Sequence, residues 1–184
     1  MSTIPDTTVQ LKDGSTITIR TARPEDARAV LEHARPIFAE EEFLLTTPND
    51  FHMTEEQEEK WLRMNRDDPG KLVIVAESTG RIIGLLGFQS EERKRVRHQG
   101  ELGMSANKAW RDRSVGRALL LALIAWAQQH PVLEKVYLQV FATNTRAIAL
   151  YTSLGFKEEG RQIRDVKMES GEYVDVFIMA RFVK

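Results

Sequence analysis

The sequence predicts an α/β fold in the α+β arrangement, with about four helices flanking one mixed central sheet of about seven strands. Three observations carry that prediction. Short runs of β-branched, aromatic and alternating residues recur along the chain. Capped helical stretches fall in three places, the first two helices side by side, instead of alternating strictly with the strands. A chain of 184 residues without internal repeat, low-complexity tract or Gly/Ser linker fits a single domain with one core.

Thr16 to Arg20 alternates polar and apolar residues and predicts the first strand. Arg23-Pro24-Glu25-Asp26 then opens a helix, with proline pre-set for the first turn and acids at its positive end. It is expected to run to about Glu42, bent at Pro36. A second, acidic helix starts after Thr54 as its cap and ends before Pro69-Gly70. Lys71 to Glu77 and Arg81 to Gln89 form a hairpin through Ser78-Thr79-Gly80, and a strand covers Gln99 to Ala106. A helix from Arg117 to Gln129 stops at His130-Pro131. A strand from Lys135 to Phe141, a short helix from Asn144 to Leu154, and strands around Phe156 to Met168 and Tyr173 to Phe182 complete the order. The core is expected over about residues 16–183, with residues 1–10 flexible.

Composition narrows the function. There is no cysteine, so disulfides, thiolate metal sites and cysteine nucleophiles are excluded. The formal net charge is −1, which argues against a general polyanion binder. That sum hides an asymmetry: residues 1–92 carry −8 and residues 93–184 carry +7. The basic run Arg93-Lys94-Arg95-Val96-Arg97 has no aromatic partners, so no nucleic-acid role is expected. His33, His52 and His130 lie far apart, and no metal is expected. The start of the chain lacks the pattern of a signal peptide. The ten-residue apolar run Ala118 to Ala127 is about half the length of a membrane span, so a cytoplasmic protein with no membrane contact is expected.

The basic half holds the chemistry. A strand that feeds a Gly-containing turn opening a helix makes an anion site, because backbone N–H groups and the helix dipole converge there. This turn carries Arg111, Arg113 and Arg117. Three segments together resemble the GNAT superfamily of N-acetyltransferases. Glu101-Leu102-Gly103-Met104-Ser105-Ala106 is similar to the strand which that family places beside the pantetheine arm. Arg111-Asp112-Arg113-Ser114-Val115-Gly116 is similar to its pyrophosphate signature, Arg/Gln-x-x-Gly-x-Gly/Ala, with Ser114 in place of the first glycine. Asn144 to Tyr151, followed by Leu154-Gly155-Phe156, is similar to its second acetyl-CoA segment.

The resemblance covers about Ile17 to Phe182. It implies acetyl transfer from acetyl-CoA, as cosubstrate, to a primary amine by direct attack in a ternary complex. It implies cofactor contacts at Met104, Ser105, Ala106, Arg111, Asp112, Arg113, Ser114, Val115, Gly116, Arg117, Asn144 and Tyr151. Met104 would offer its N–H to the carbonyl oxygen, and Tyr151 would stand as general acid to the leaving thiolate. Glu101 is the candidate base, by itself or through water, and equally suits a sheet-face ion pair. Tyr151 also reads as a core tyrosine, Asn144 and Ser114 as helix caps, His98 as a surface histidine and Trp110 as packing. A small-molecule amine is the favoured acceptor, with a protein N-terminus or lysine as alternative and a non-catalytic acyl-CoA sensor as the rival of another class. Glu40-Glu41-Glu42 and Glu55 to Glu59 would make the acceptor mouth attractive to a cation. A homodimer is left open.

Overall fold

The structure, a computed structural model, describes residues 1–40 and 43–184. Eight strands form one sheet: β1 (Thr7–Gln10), β2 (Thr16–Thr21), β3 (Lys71–Ser78), β4 (Arg81–Ser90), β5 (Gln99–Ala106), β6 (Lys135–Phe141), β7 (Lys157–Lys167) and β8 (Tyr173–Phe182). Their spatial order is β1-β2-β3-β4-β5-β6-β8-β7. Every neighbouring pair is antiparallel except β5 and β6. Four helices cover it: α1 (Ala27–Ala39), α2 (Glu55–Asp67), α3 (Val115–Gln129) and α4 (Thr145–Ser153).

The strand beyond the expected seven is β1. It pairs with β2 from Thr7↔Ile19 to Gln10↔Thr16, so the ordered sheet begins before residue 16. Its Thr-Thr-Val-Gln is short and mostly exposed, and a four-residue edge strand gains its stability from the partner, not from its own pattern. The expected α1 opens instead with a 3-10 turn over Pro24–Asp26, and α1 contains Pro36 and closes with Glu40 as its C-cap. Glu41 and Glu42 lie outside the described residues. The cap expected at Thr54 is a capping box: Gln57 N donates to Thr54 Oγ1 at 3.2 Å, and Thr54 N to Gln57 Oε1 at 2.9 Å.

The two faces of the sheet are covered differently. On one, α1 and α2 close a small cluster of Ala22, Ala27, Val30, Leu62, Val73, Val75 and Ile82. A buried ion network anchors that side: Arg20 donates to both carboxylate oxygens of Asp26, at 2.7 and 2.8 Å, and through Nε to Glu77 at 2.9 Å. On the other face α3 supplies Leu119, Leu120, Leu123 and Ala127 to the main core, together with Tyr151, Leu154 and Phe156 of and beyond α4. Among the described residues no helix is long and apolar enough to cross a membrane.

Candidate active site

β5 and β6 part company early. Their parallel pairing covers only Gln99↔Lys135, Gly100↔Val136 and Glu101↔Tyr137. Beyond Glu101, β5 keeps β4 on one side and has no strand on the other. Its side chains alternate between the faces. Leu102 and Met104 join the main core beside α3, whereas Ser105 meets His33 of α1 with 3.0 Å between Oγ and Nε2. The His98 carbonyl receives the N–H groups of Glu134 and Lys135, at 2.8 and 3.1 Å, so its backbone fixes the start of the β6 pairing.

After β5 the chain makes a short 3-10 turn at Lys108–Trp110 and enters the basic turn. Asp112 and Ser114 both adopt left-handed backbone, at φ 61° and 77°. Ser114 is the N-cap of α3 but its side chain makes no capping bond, so the cap expected of it is not formed. The left-handed conformation is what the signature glycine would supply without steric cost. Gly116 allows a close approach: a Cβ there would stand 3.2 Å from both Met104 Cε and Leu150 Cδ2, so those side chains would have to shift by a few tenths of an ångström. Asn144 caps α4 by accepting the Ala147 N–H at 3.1 Å, and Gly155 turns the chain out of that helix at φ 83°.

These elements enclose a cavity of about 450 Å³. Met104, Ser105, Ala106, Arg111, Asp112, Ser114, Gly116, Arg117, Asn144 and Tyr151 all line it. Two of the candidate cofactor contacts do not. Val115 is buried in the main core, and Arg113 turns away to pair with Asp13 while its guanidinium lies 4.1 Å from the Trp110 ring centre. Trp110 packs against the core, as expected of it. Arg111 pairs with Glu40 and donates through Nε to the Ala106 carbonyl at 3.2 Å. Arg117 donates to Ser153 Oγ at 3.2 Å. Tyr151 is 7 % exposed, and burial pushes its phenol up to about 12.

Glu101 does not line this cavity. It belongs to a separate groove of about 980 Å³ on the α2 face, between Trp61 and Asn65 of α2, strands β4 and β5, and Tyr137 of β6. Gly87 and Gly103 pair across β4 and β5 in its floor, and a Cβ on either would meet nothing. Gln139 donates to Glu101 at 3.3 Å, and the Tyr137 hydroxyl donates to Glu91 at 3.1 Å. Burial first, then Glu91 and Glu101, push that phenol up to about 12. Among the described residues the acids that line the groove are Glu91, Glu92 and Glu101. Glu40 lines the basic cavity, Glu41 and Glu42 are outside the described residues, Glu58 is buried with its carboxyl pushed up, and Glu59 pairs with Arg63.

Sequence reasoning missed Lys12 and Arg146 as cationic walls of the cavity. Arg146 sits two residues after the Asn144 cap, a signal within reach. Lys12 follows β1, and without that strand nothing in the sequence brings it near. Among the described residues no group of side chains could hold a metal ion.

Residues 31–156 match the Acetyltransferase (GNAT) family. The chain is 31% identical over 168 residues to the L-amino acid N-acetyltransferase AaaT of Escherichia coli K12, covering 91% of this chain and 98% of that one. It is similar to the solved GNAT-family acetyltransferase of Streptococcus pneumoniae, with 30% identity, a TM-score of 0.87, and coverage of 90% and 99%. The structure of yncA from Salmonella typhimurium, solved with its cofactor acetyl-CoA, shares the fold at a TM-score of 0.81 and 22% identity, over 92% of this chain and 95% of that one.

Proposed function

This chain belongs to the GNAT family and is an acetyl-CoA-dependent N-acetyltransferase, and from that premise we propose that it acetylates a small free amine, an L-amino acid being the first class to test. The observation that carries the reading is the meeting of two recesses along β5. The basic cavity reaches Met104 from one side, the acid-lined groove reaches Glu101 from the other, and β6 parts from β5 between them while staying paired with β8. The relative named for L-amino acids supports a small acceptor over a protein tail.

The residues present fit acetyl-CoA. Lys12, Arg111, Arg117 and Arg146 give the cavity the charge its phosphates require, the N-terminus of α3 adds backbone donors, and Gly116 keeps the floor open beside Met104. When bound, it supplies the activated acetyl group and a thiol leaving group. The free edge of β5 presents backbone N–H groups, and the Met104 N–H is our candidate donor to the carbonyl oxygen as negative charge gathers there. Glu101 receives a proton from the acceptor ammonium, directly or through water, because a free alkylamine holds its proton up to a pKa of about 10. Tyr151 donates a hydrogen bond to the departing sulfur. A phenol held at about 12 keeps its proton at working pH, and full transfer to a thiolate of pKa about 8.5 runs uphill, so the bond itself is its main contribution.

The test is CoA release with acetyl-CoA and a panel of free L-amino acids, polyamines, amino sugars and peptides with free N-termini. We expect a free small amine to give the highest kcat/KM. Peptides outpacing every small amine would overturn the acceptor class. Binding of acetyl-CoA without release to any acceptor would favour a sensor.

A further inference from the structure

His33 is 2 % exposed in the middle of α1, and the reaction described above does not use it. Burial holds its ring down at about 4, so it stays neutral in the working range and offers one donor and one acceptor nitrogen. Nε2 lies 3.0 Å from Ser105 Oγ. Nδ1 is buried without a partner, and so is Asn107 Oδ1. The Ile82 carbonyl and the Asn107 side chain act against burial and favour a proton on this ring, although neither stands in hydrogen-bond geometry with Nδ1. We assign the proton to Nδ1, which gives that nitrogen a donor to offer and leaves Nε2 to accept from the Ser105 hydroxyl.

The position of this contact gives it a role. From Leu102 to Ala106, β5 is supported by β4 alone, because β6 has left at Glu101. Ser105 lies in that stretch and lines the cavity, while Asn107 follows it and bonds back to the Ile83 carbonyl at 3.0 Å. Support that a neighbouring strand would give comes here from a helix.

We propose that His33 is a positioning residue for the acetyl-CoA site: through Ser105 it fastens the unpaired stretch of β5 to α1, the stretch that carries the pantetheine arm in the reading above, on which this inference rests. A strand free on one edge samples more positions than one paired on both, and each unproductive position lowers the affinity of a ligand laid along it.

Calorimetric titration of acetyl-CoA tests this with wild type, His33→Leu, Ser105→Ala, the double variant and Ser105→Thr. Each of the first two should raise Kd about tenfold, and the double variant should be no weaker than the weaker single, since both remove one bond. Ser105→Thr keeps the hydroxyl and should recover most of the affinity that Ser105→Ala loses, and in His33→Leu the KM for acetyl-CoA should rise with Kd by more than kcat at saturation falls. A residue that merely packs α1 would lower Tm without coupling to Ser105 in Kd. Should His33→Leu not fold, His33→Phe, which likewise has no hydrogen-bonding group, replaces it in the same cycle. Wild-type affinity in Ser105→Ala, or losses that multiply in the double variant, would overturn the positioning role alone. A wild-type protein that takes up no acetyl-CoA would overturn the cofactor reading itself.

Discussion

The cavity and the groove lie on the same strand, yet they are built by opposite strategies. The cavity draws most of its wall from β5, the basic turn and α4, so local backbone geometry does most of the work: a left-handed turn, a helix N-terminus, a close glycine, a capped helix. The groove takes its walls from α2, β4, the β4–β5 connection, β5 and β6, and owes its shape to strand register, such as Gly87 opposite Gly103 and Glu101 beside Tyr137. A site shaped by backbone suits what many substrates share, in the proposed reading a phosphate, to which Lys12, Arg111, Arg117 and Arg146 add charge. One made by side chains can change its specificity by single substitutions without disturbing the fold.

That contrast is broken if one substitution affects both ligands alike. The largest effect is expected at Glu101. Glu101→Gln keeps the size and removes the base, so kcat/KM for the acceptor should fall by about 10² or more while the acetyl-CoA affinity stays within about twofold. Steady-state kinetics with each substrate varied in turn checks this, and equal losses for both substrates would mean that Glu101 holds the sheet rather than the amine. The opposite split is expected from Arg117→Ala. Loss of one charge-assisted phosphate contact should raise KM for acetyl-CoA about tenfold and leave KM for the acceptor unchanged. A rise confined to the acceptor would invert the assignment of the two recesses.

The same contrast explains what was legible in the sequence. Strands β5, β6 and β8 and the caps at Thr54 and Asn144 stood out because pattern and capping chemistry are local. Most of the cavity followed, since its residues are neighbours in the chain. Arg113 and Val115 belong to the same signature, but which signature side chains face inward depends on the turn, and two left-handed residues within it redirect them. The groove was legible only at Glu101. Trp61, Glu91 and Tyr137 meet it through register across strands and through α2, and no spacing encodes that. Strand β1 escaped for a related reason: four exposed residues become a strand only because β2 offers an edge.

The smallest effect expected is at the turn itself, and it measures how far backbone alone makes the cavity. Ser114 holds φ 77° without a capping bond in return, so it bears the steric cost of a left-handed conformation. Ser114→Gly removes that cost but loosens the unfolded chain, and the two oppose each other. The net gain should be about 0.5 kcal/mol, seen as a rise in Tm of a few degrees or less. Glycine also lets phosphate oxygens approach the turn more closely, so acetyl-CoA should bind about two- to threefold more tightly, with acceptor KM unmoved. If the variant bound acetyl-CoA more weakly, the serine hydroxyl would itself be a phosphate donor alongside the arginines, and the turn would act through its side chain as well as its backbone.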